Sequence, residues 1–294
     1  MARLLEQGVA LGEYMTGRVC YGIKTGLNEA FVIDGARRDE LLAQDAGSAE
    51  IVKPFVQGRD IKRWTIDRKD AWIIFTRRGI DISNYPAILR HLEKYRRELE
   101  PRPADWPPKK PWPGRKPGAY QWYEIQDDVA YYRVFDEPKI VYPDIAKGTR
   151  FCLDSDGAYI GNTAYCIGTS DPYLLAVLNS RLMWFCVSSL SIPFGTRAGK
   201  FRYRLIYQYM KNLPVIPPTE GGGQLAGVQA QIAAIGERLG RVVPTLAGGR
   251  VPQDHAAKVR EVAALERRLD RLVYDLYGLT YDEIALVESS FEGT

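Results

Sequence analysis

Histidine is almost missing from this chain: its 294 residues include only His91 and His255. The two fall on separate stretches of helical spacing, so no Ser-His-Asp or Cys-His arrangement can be assembled, and His91 reads as a helix-surface residue. The four cysteines, Cys20, Cys152, Cys166 and Cys186, never form Cys-x-x-Cys and sit in apolar or β-like runs. That excludes zinc spacing and fits reduced, buried thiols of a cytoplasmic protein. There is no Gly-x-Gly-x-x-Gly. Gly195–Phe201 resembles a phosphate loop but has one residue too few between its glycines and no Ser/Thr after Lys200. No signal peptide is recognisable at the start. The longest apolar stretch, 173–190, is broken by Asn179, Ser180 and Arg181, which excludes a membrane span.

A strong overall charge is missing too. The formal net charge is +4, too small to argue for nucleic acid by itself. The distribution is more informative. Residues 101–118 contain seven prolines, five basic residues (Arg102, Lys109, Lys110, Arg115, Lys116) and two tryptophans, against the single acid Asp105. Proline fixes φ and offers no donor, so this segment is a loop, either functional or poorly ordered. Phe194–Arg204 holds Arg197, Lys200, Arg202 and Arg204 among Phe194, Phe201 and Tyr203, with no acid. Cations interleaved with aromatics suit phosphate contact and stacking, although such a run is equally compatible with a solvated loop. If 200–204 is extended, alternation puts Arg202 and Arg204 outward and both Phe201 and Tyr203 inward. In Gly58-Arg-Asp-Ile-Lys-Arg-Trp64 the cations could face DNA, or Arg59–Asp60 could be a structural ion pair that orients the loop, the reading slightly preferred. Concentrated basic patches on a near-neutral scaffold describe a locally positive field.

The spacing predicts an α+β fold: a curved, mixed or antiparallel β-rich body with packed helices, and a C-terminal helical hairpin. Strands are expected at 18–23, 30–33, 71–75, 139–142, 150–153, 158–160 and 164–167. Helices are expected at 37–44, 48–55, 84–100 and 172–189. Gly22-Ile-Lys-Thr-Gly26 reads as a tight turn of a hairpin running to Phe31, its glycines allowing positive φ and close backbone approach. After Gly221–Gly223 the apolar period changes to a helical pair over 224–276, followed by a short helix from Tyr281. The boundaries follow: a body over 1–218 and a helical appendage over 219–294.

Two alternatives deserve weight. Glu137, Lys139 and Asp144 could belong to a cut-down Mg²⁺-dependent nuclease, but they come in the wrong order, too close together, with Pro138 between the first two. The stripe along 224–276 could be a seam for a partner protein, or it could pack back on its own chain.

Gly22–Phe31, Ile51–Arg63, Pro138–Ile145, Asn162–Tyr165 and Tyr173–Leu182 occur in order. Together they resemble the TaqI-like C-terminal specificity domain of adenine-N6 DNA methyltransferases and of type IIG restriction-modification enzymes, over roughly residues 10–218. The tail 265–288 is also similar to the ends of those enzymes. The resemblance implies a target-recognition domain that reads base edges in double-stranded DNA while a methyltransferase domain flips the adenine. It places the chemistry in an S-adenosylmethionine domain carrying Asn/Asp-Pro-Pro-Tyr/Phe. The nearest strings here, Trp106–Lys109 and Ile216–Thr219, lack the flanking residues of that motif. The expectation is therefore a non-catalytic, metal-free chain that needs no cofactor of its own. Its partners are double-stranded DNA, a methyltransferase domain or subunit and, in some systems, an endonuclease domain. The early position of Gly22–Phe31 is the reason to expect the catalytic half elsewhere. Phosphate contacts are expected from Lys24, Thr25, Lys109, Lys110, Arg115, Lys116 and Lys200. Base readout is expected from among Arg197, Arg202, Arg204 and Lys147, with Phe194, Phe201 and Tyr203 as aromatic support.

Overall fold

In a computed structural model, the described residues are 2–107, 109–219, 223–248 and 252–292. The architecture is α+β, and its centre is an antiparallel sheet in the order Cys152–Asp154, Lys139–Pro143, Ala164–Ile167, Val19–Tyr21. Successive side chains of a strand point to opposite faces. Ile140, Tyr142 and Ile167 therefore enter one hydrophobic core, while Val141, Cys152, Ala164 and Cys166 enter another. Every residue of Lys139–Pro143 is buried as a result. Fully burying an aliphatic side chain stabilises by about 1.5–3 kcal/mol, so a strand sealed on both faces is a strong organiser.

The core that takes Val141 and Cys166 lies between this sheet and a second, mixed one in the order Tyr159–Ile160, Val52–Val56, Trp72–Ile74, Val32–Ile33. Tyr159–Ile160 runs parallel to Val52–Val56 and the other pairs are antiparallel. Helices Gly35–Gln44 and Pro86–Glu93 close this side. The core that takes Ile140, Tyr142 and Ile167 lies under the helices Pro172–Leu178, Arg181–Leu190, Gln224–Val242, Pro252–Leu276 and Tyr281–Glu292. Among the described residues no single helix is long and apolar enough to cross a membrane.

Several expectations are corrected. Gly22–Phe31 does not form a hairpin: Val19–Tyr21 and Val32–Ile33 belong to different sheets, with the helical turn Asn28–Phe31 between them. The two glycines do separate jobs. A Cβ on Gly22 would lie 2.0 Å from the Gly161 carbonyl oxygen, whereas Gly26 turns the chain at φ +85°. Residues 48–55 are not a helix. Asp45 caps a short 3-10 turn, Ala46–Glu50, by accepting from the Gly47 N–H at 3.1 Å and the Ser48 hydroxyl at 2.7 Å. The β-branched Val52 and Val56 then extend as a strand.

The periodic stretch 84–100 is two helices, Pro86–Glu93 and Arg96–Leu99, because the Tyr95 N–H pairs with the Leu92 carbonyl three residues back and tightens the turn. His91 is buried rather than on the surface. Its Nε2 lies 2.9 Å from the Ala30 carbonyl, and its Nδ1 accepts from the Arg37 guanidinium at 3.1 and 3.3 Å.

The stretch 172–189 is likewise broken, bending by 61° at Asn179. The fully buried Asn179 amide acts as a strand partner for Phe151: its Oδ1 accepts from the Phe151 N–H and its Nδ2 donates to the Phe151 carbonyl. Ser180 caps the second helix through the Met183 N–H.

The apolar stripe expected along 224–276 is covered by its own chain. Ile232, Ile235 and Leu239 pack into the core of the bent helix pair, and a Cβ on Gly236 would lie 2.5 Å from the Pro172 carbonyl oxygen. Asp270 and Trp64 tie the last helices to the body. The Asp270 carboxylate accepts from the Arg181 N–H at 2.9 Å, and the buried Trp64, at φ +68°, donates to Glu266 at 3.0 Å.

Candidate nucleic-acid interface

Phe194–Arg204 folds as an exposed β-hairpin, Pro193–Arg197 against Lys200–Arg204. Ala198 at φ +53° and Gly199 at φ +74° form its two-residue turn, the positive-φ pair whose twist matches a hairpin. Gly195 at φ +70° accommodates a register shift between Pro193 and Thr196. The hairpin is attached to the body by two residue pairs, Tyr203 with Ala146 and Arg204 with Ile145. Tyr203 packs edge-on against Trp184 at 5.7 Å.

Alternation holds for the arginines: Arg202 and Arg204 lie over the Phe194 ring at 5.4 and 4.9 Å. It holds for one ring only. Tyr203 faces the body as expected, but Phe201 is 48 % exposed, because the ladder to 145–146 ends at Tyr203 and the strand overhangs.

The hairpin forms one wall of a cleft of about 520 Å³. Arg197 and Arg202 line it from the hairpin, Lys147 and Arg150 from the loop after Ile145–Ala146, and Arg59 from the opposite side. Lys147 donates to the Arg197 carbonyl, which braces one wall against the other. Among the described residues, Lys147, Arg150, Arg197 and Arg202 make no ion pair with an acid. Three of the four base-readout candidates therefore converge here: Arg197, Arg202 and Lys147. Arg204 stands apart beside Asp144, whose carboxyl is pushed up by burial and pulled back down by the Arg204 charge.

Sequence reasoning missed Arg150 and set Arg59 aside in favour of an ion pair. Arg59 is not in a firm ion pair: its side chain is 79 % exposed and its Nε lies 3.9 Å from Asp60. Asp60 is occupied by the Gln57 N–H at 3.0 Å, and the Gly58 N–H donates to the Thr163 hydroxyl at 2.9 Å. The loop is ordered by those contacts, so the Arg59 guanidinium is left over. The signal was present in the sequence, since Asp60 next to an N–H-rich turn is a common cap. Arg150 carried no such signal.

The phosphate candidates divide. Lys109, Lys110 and Lys116 are exposed on the proline-rich loop, and Lys200 at the hairpin turn. Lys110 lies over Trp106 at 4.6 Å, and Trp106 meets Trp112 edge-on at 4.8 Å. Lys109, Lys110, Lys116 and Arg102 line a second basic cleft of about 500 Å³. Lys24 is half-buried, with Asp127 as its acidic neighbour.

Two candidates are corrected. The Thr25 hydroxyl is buried and donates to Asn28 Oδ1 at 2.7 Å, so it cannot meet a phosphate. Arg115 is 4 % exposed, and its guanidinium donates to the carbonyls of Leu99, Thr25, Glu124, Gln121 and Trp122 at 2.7–3.3 Å. Burial pushes that guanidinium down to about 10, leaving it charged at neutral pH. It is an internal staple.

The nuclease alternative loses its lysine. Lys139 is fully buried, paired with Asp154 at 2.6 Å, and cannot approach an attacking water.

A family model described as the TaqI-like C-terminal specificity domain matches residues 53–215. The type II methyltransferase M.BanIII of Aneurinibacillus aneurinilyticus is 24 % identical over 211 residues, covering 67 % of this chain and 34 % of that protein. Among solved structures, the type IIL restriction-modification enzyme MmeI in complex with DNA aligns with a TM-score of 0.57 at 18 % identity. It covers 94 % of this chain and 35 % of that one, a likeness of fold. The chain thus spans about a third of the length of these two proteins.

Proposed function

The chain belongs to the TaqI-like C-terminal specificity domain family, and from that membership we propose that it is the double-stranded DNA recognition module of a site-specific adenine-N6 methyltransferase system. The observation that carries the reading is the cleft in which Arg59, Lys147, Arg150, Arg197 and Arg202 converge from three separate segments. Like charges so gathered repel one another unless a polyanion fills the space between them, and a DNA backbone supplies one phosphate charge per strand every 3.4 Å.

In this reading the work of the chain is positioning. Lys109, Lys110, Lys116 and Lys200 hold phosphates and set the register, while the cleft meets base edges. The methyl group, supplied by S-adenosylmethionine, is transferred in a methyltransferase domain that is no part of these 294 residues. An endonuclease domain is a further partner in systems that also cut.

The test is duplex binding followed by fluorescence anisotropy across salt concentration. Affinity is expected to fall with a log–log slope of about −0.9 for each phosphate contacted, so several units in all. Salt-independent affinity would sink the reading. Methyl transfer to DNA by the chain alone with S-adenosylmethionine would overturn its non-catalytic part.

A further inference from the structure

We infer that the cleft reads guanine, and that Arg59 and Arg202 are the residues that read it. This rests on the DNA-recognition reading above and adds the base.

The chemistry of the walls decides the edge they can accept. Every ionisable residue lining the cleft is a cation, and none is Asp or Glu. The nearest carboxylates are spoken for: Asp60 is buried and accepts from the Gln57 N–H, and Asp144 faces Arg204. In the major groove cytosine presents an N–H donor and needs an acceptor, and the side-chain acceptors of the lining are two neutral groups, the Gln57 amide and the Thr163 hydroxyl, the latter already accepting from the Gly58 N–H. Adenine presents one donor and one acceptor, and thymine one acceptor beside a methyl group. Only guanine offers two adjacent acceptors, O6 and N7, that match the parallel donors of a guanidinium.

Geometry then selects among the cations. The Arg202 guanidinium carbon lies over Phe194 at 5.4 Å, and its buried Nε has no hydrogen-bond partner, which leaves the terminal nitrogens as its donors. A guanidinium held beside a ring has less rotamer freedom to lose on binding. Arg59 stands on the opposite wall, on a turn clamped at Gly58 by Thr163 and at Gln57 by Asp60, with its side chain 79 % exposed. A Cβ on Gly58 would lie 2.1 Å from the Thr163 carbonyl oxygen, so the turn is seated against that backbone. Lys147 is already engaged with the hairpin backbone and lacks the planar fork that pre-organises an arginine for O6 and N7.

The experiment is selection of bound duplexes from a random-sequence pool by the full chain, followed by titration of the selected duplex. At least one invariant guanine is expected. Replacing it by 7-deazaguanine, which removes only the N7 acceptor, should weaken binding roughly five- to hundred-fold. Arg59→Lys and Arg202→Lys keep the charge, so the salt slope should be unchanged, while each relaxes selectivity at a guanine position. A fold defect would instead weaken all duplexes alike.

Salt-dependent binding with a consensus lacking guanine, or indifference to both 7-deazaguanine and the lysine variants, would overturn the guanine assignment and leave the DNA reading standing. Absence of salt-dependent duplex binding would overturn the DNA reading itself.

Discussion

The proline-rich loop 101–118 and the hairpin 193–204 have nearly the same chemistry on paper, basic residues interleaved with aromatics, yet they use it in opposite ways. In the loop the central arginine is spent inside the molecule. Arg115 reaches carbonyls on three segments that no regular ladder supplies with donors, and lies over the Tyr120 ring at 4.5 Å. In the hairpin the backbone ladder satisfies the carbonyls, so the guanidiniums of Arg197 and Arg202 are not drawn inward. A cation is free to meet a ligand only where the surrounding main chain already has its donors. Regular strand structure leaves arginines available, whereas irregular structure consumes them.

Arg115→Ala tests this contrast hardest. It takes the donor from the Leu99, Trp122 and Glu124 carbonyls, while those of Thr25 and Gln121 keep a backbone N–H, and should cost about 3–5 kcal/mol of stability in denaturant unfolding, with the bound fraction of DNA falling only through unfolding. Arg202→Ala, on the free side, should stay within about 0.5 kcal/mol of the parent. Equal losses at the two positions would erase the distinction.

Next in size are effects on binding. Alanine at Arg197, Lys200, Arg202 and Arg204 together should lower duplex affinity by at least tenfold and flatten the salt slope by up to about four times 0.9. Alanine at Lys109, Lys110 and Lys116 should flatten it by up to about three times 0.9 without changing sequence preference. A change of preference from the loop variant, or none in affinity from the hairpin variant, would reverse the assigned roles.

The smallest effect concerns pH. His91 sits in the same core that Arg115 staples, and its pKa is lowered below 6.5, first by burial, with the Arg37 charge adding to it. The unfolded chain takes up the proton first, so stability should fall as pH drops through 6.5, by at most about 1.4 kcal/mol per pH unit. Thermal unfolding should show this slope, and His91→Gln should flatten it. DNA binding by the hairpin should not follow His91.

Much of the fold was legible where one physical signal decided it. Val141, Cys166 and Ile160 announce strands by their β-branched and apolar neighbours, and Leu174, Leu178 and Leu182 announce a helical face. What the period could not show is continuity. Asn179 bends the helix because its amide finds Phe151, 28 residues away, and no local pattern encodes a partner that distant. The same limit governed the site. The alternation of Arg202 and Tyr203 was readable from the strand, but the burial of Arg115 and Thr25 depended on carbonyls and caps contributed by other segments. Arg59 was misjudged for the converse reason: its neighbouring acid was already engaged.

The narrow attachment of the hairpin has a consequence for how such a module changes over generations. Among the described residues its strand ladder to the body is the two pairs at Ala146 and Ile145, with the Ser191 hydroxyl closing onto the Arg204 carbonyl at 2.6 Å and Lys147 bracing the Arg197 carbonyl. Past Tyr203 the strand ladder ends and the tip projects, braced by Lys147 at Arg197. Insertions, deletions or wholesale exchange at the tip leave the two cores untouched, so the letters a lineage recognises can be rewritten without refounding the protein that carries them.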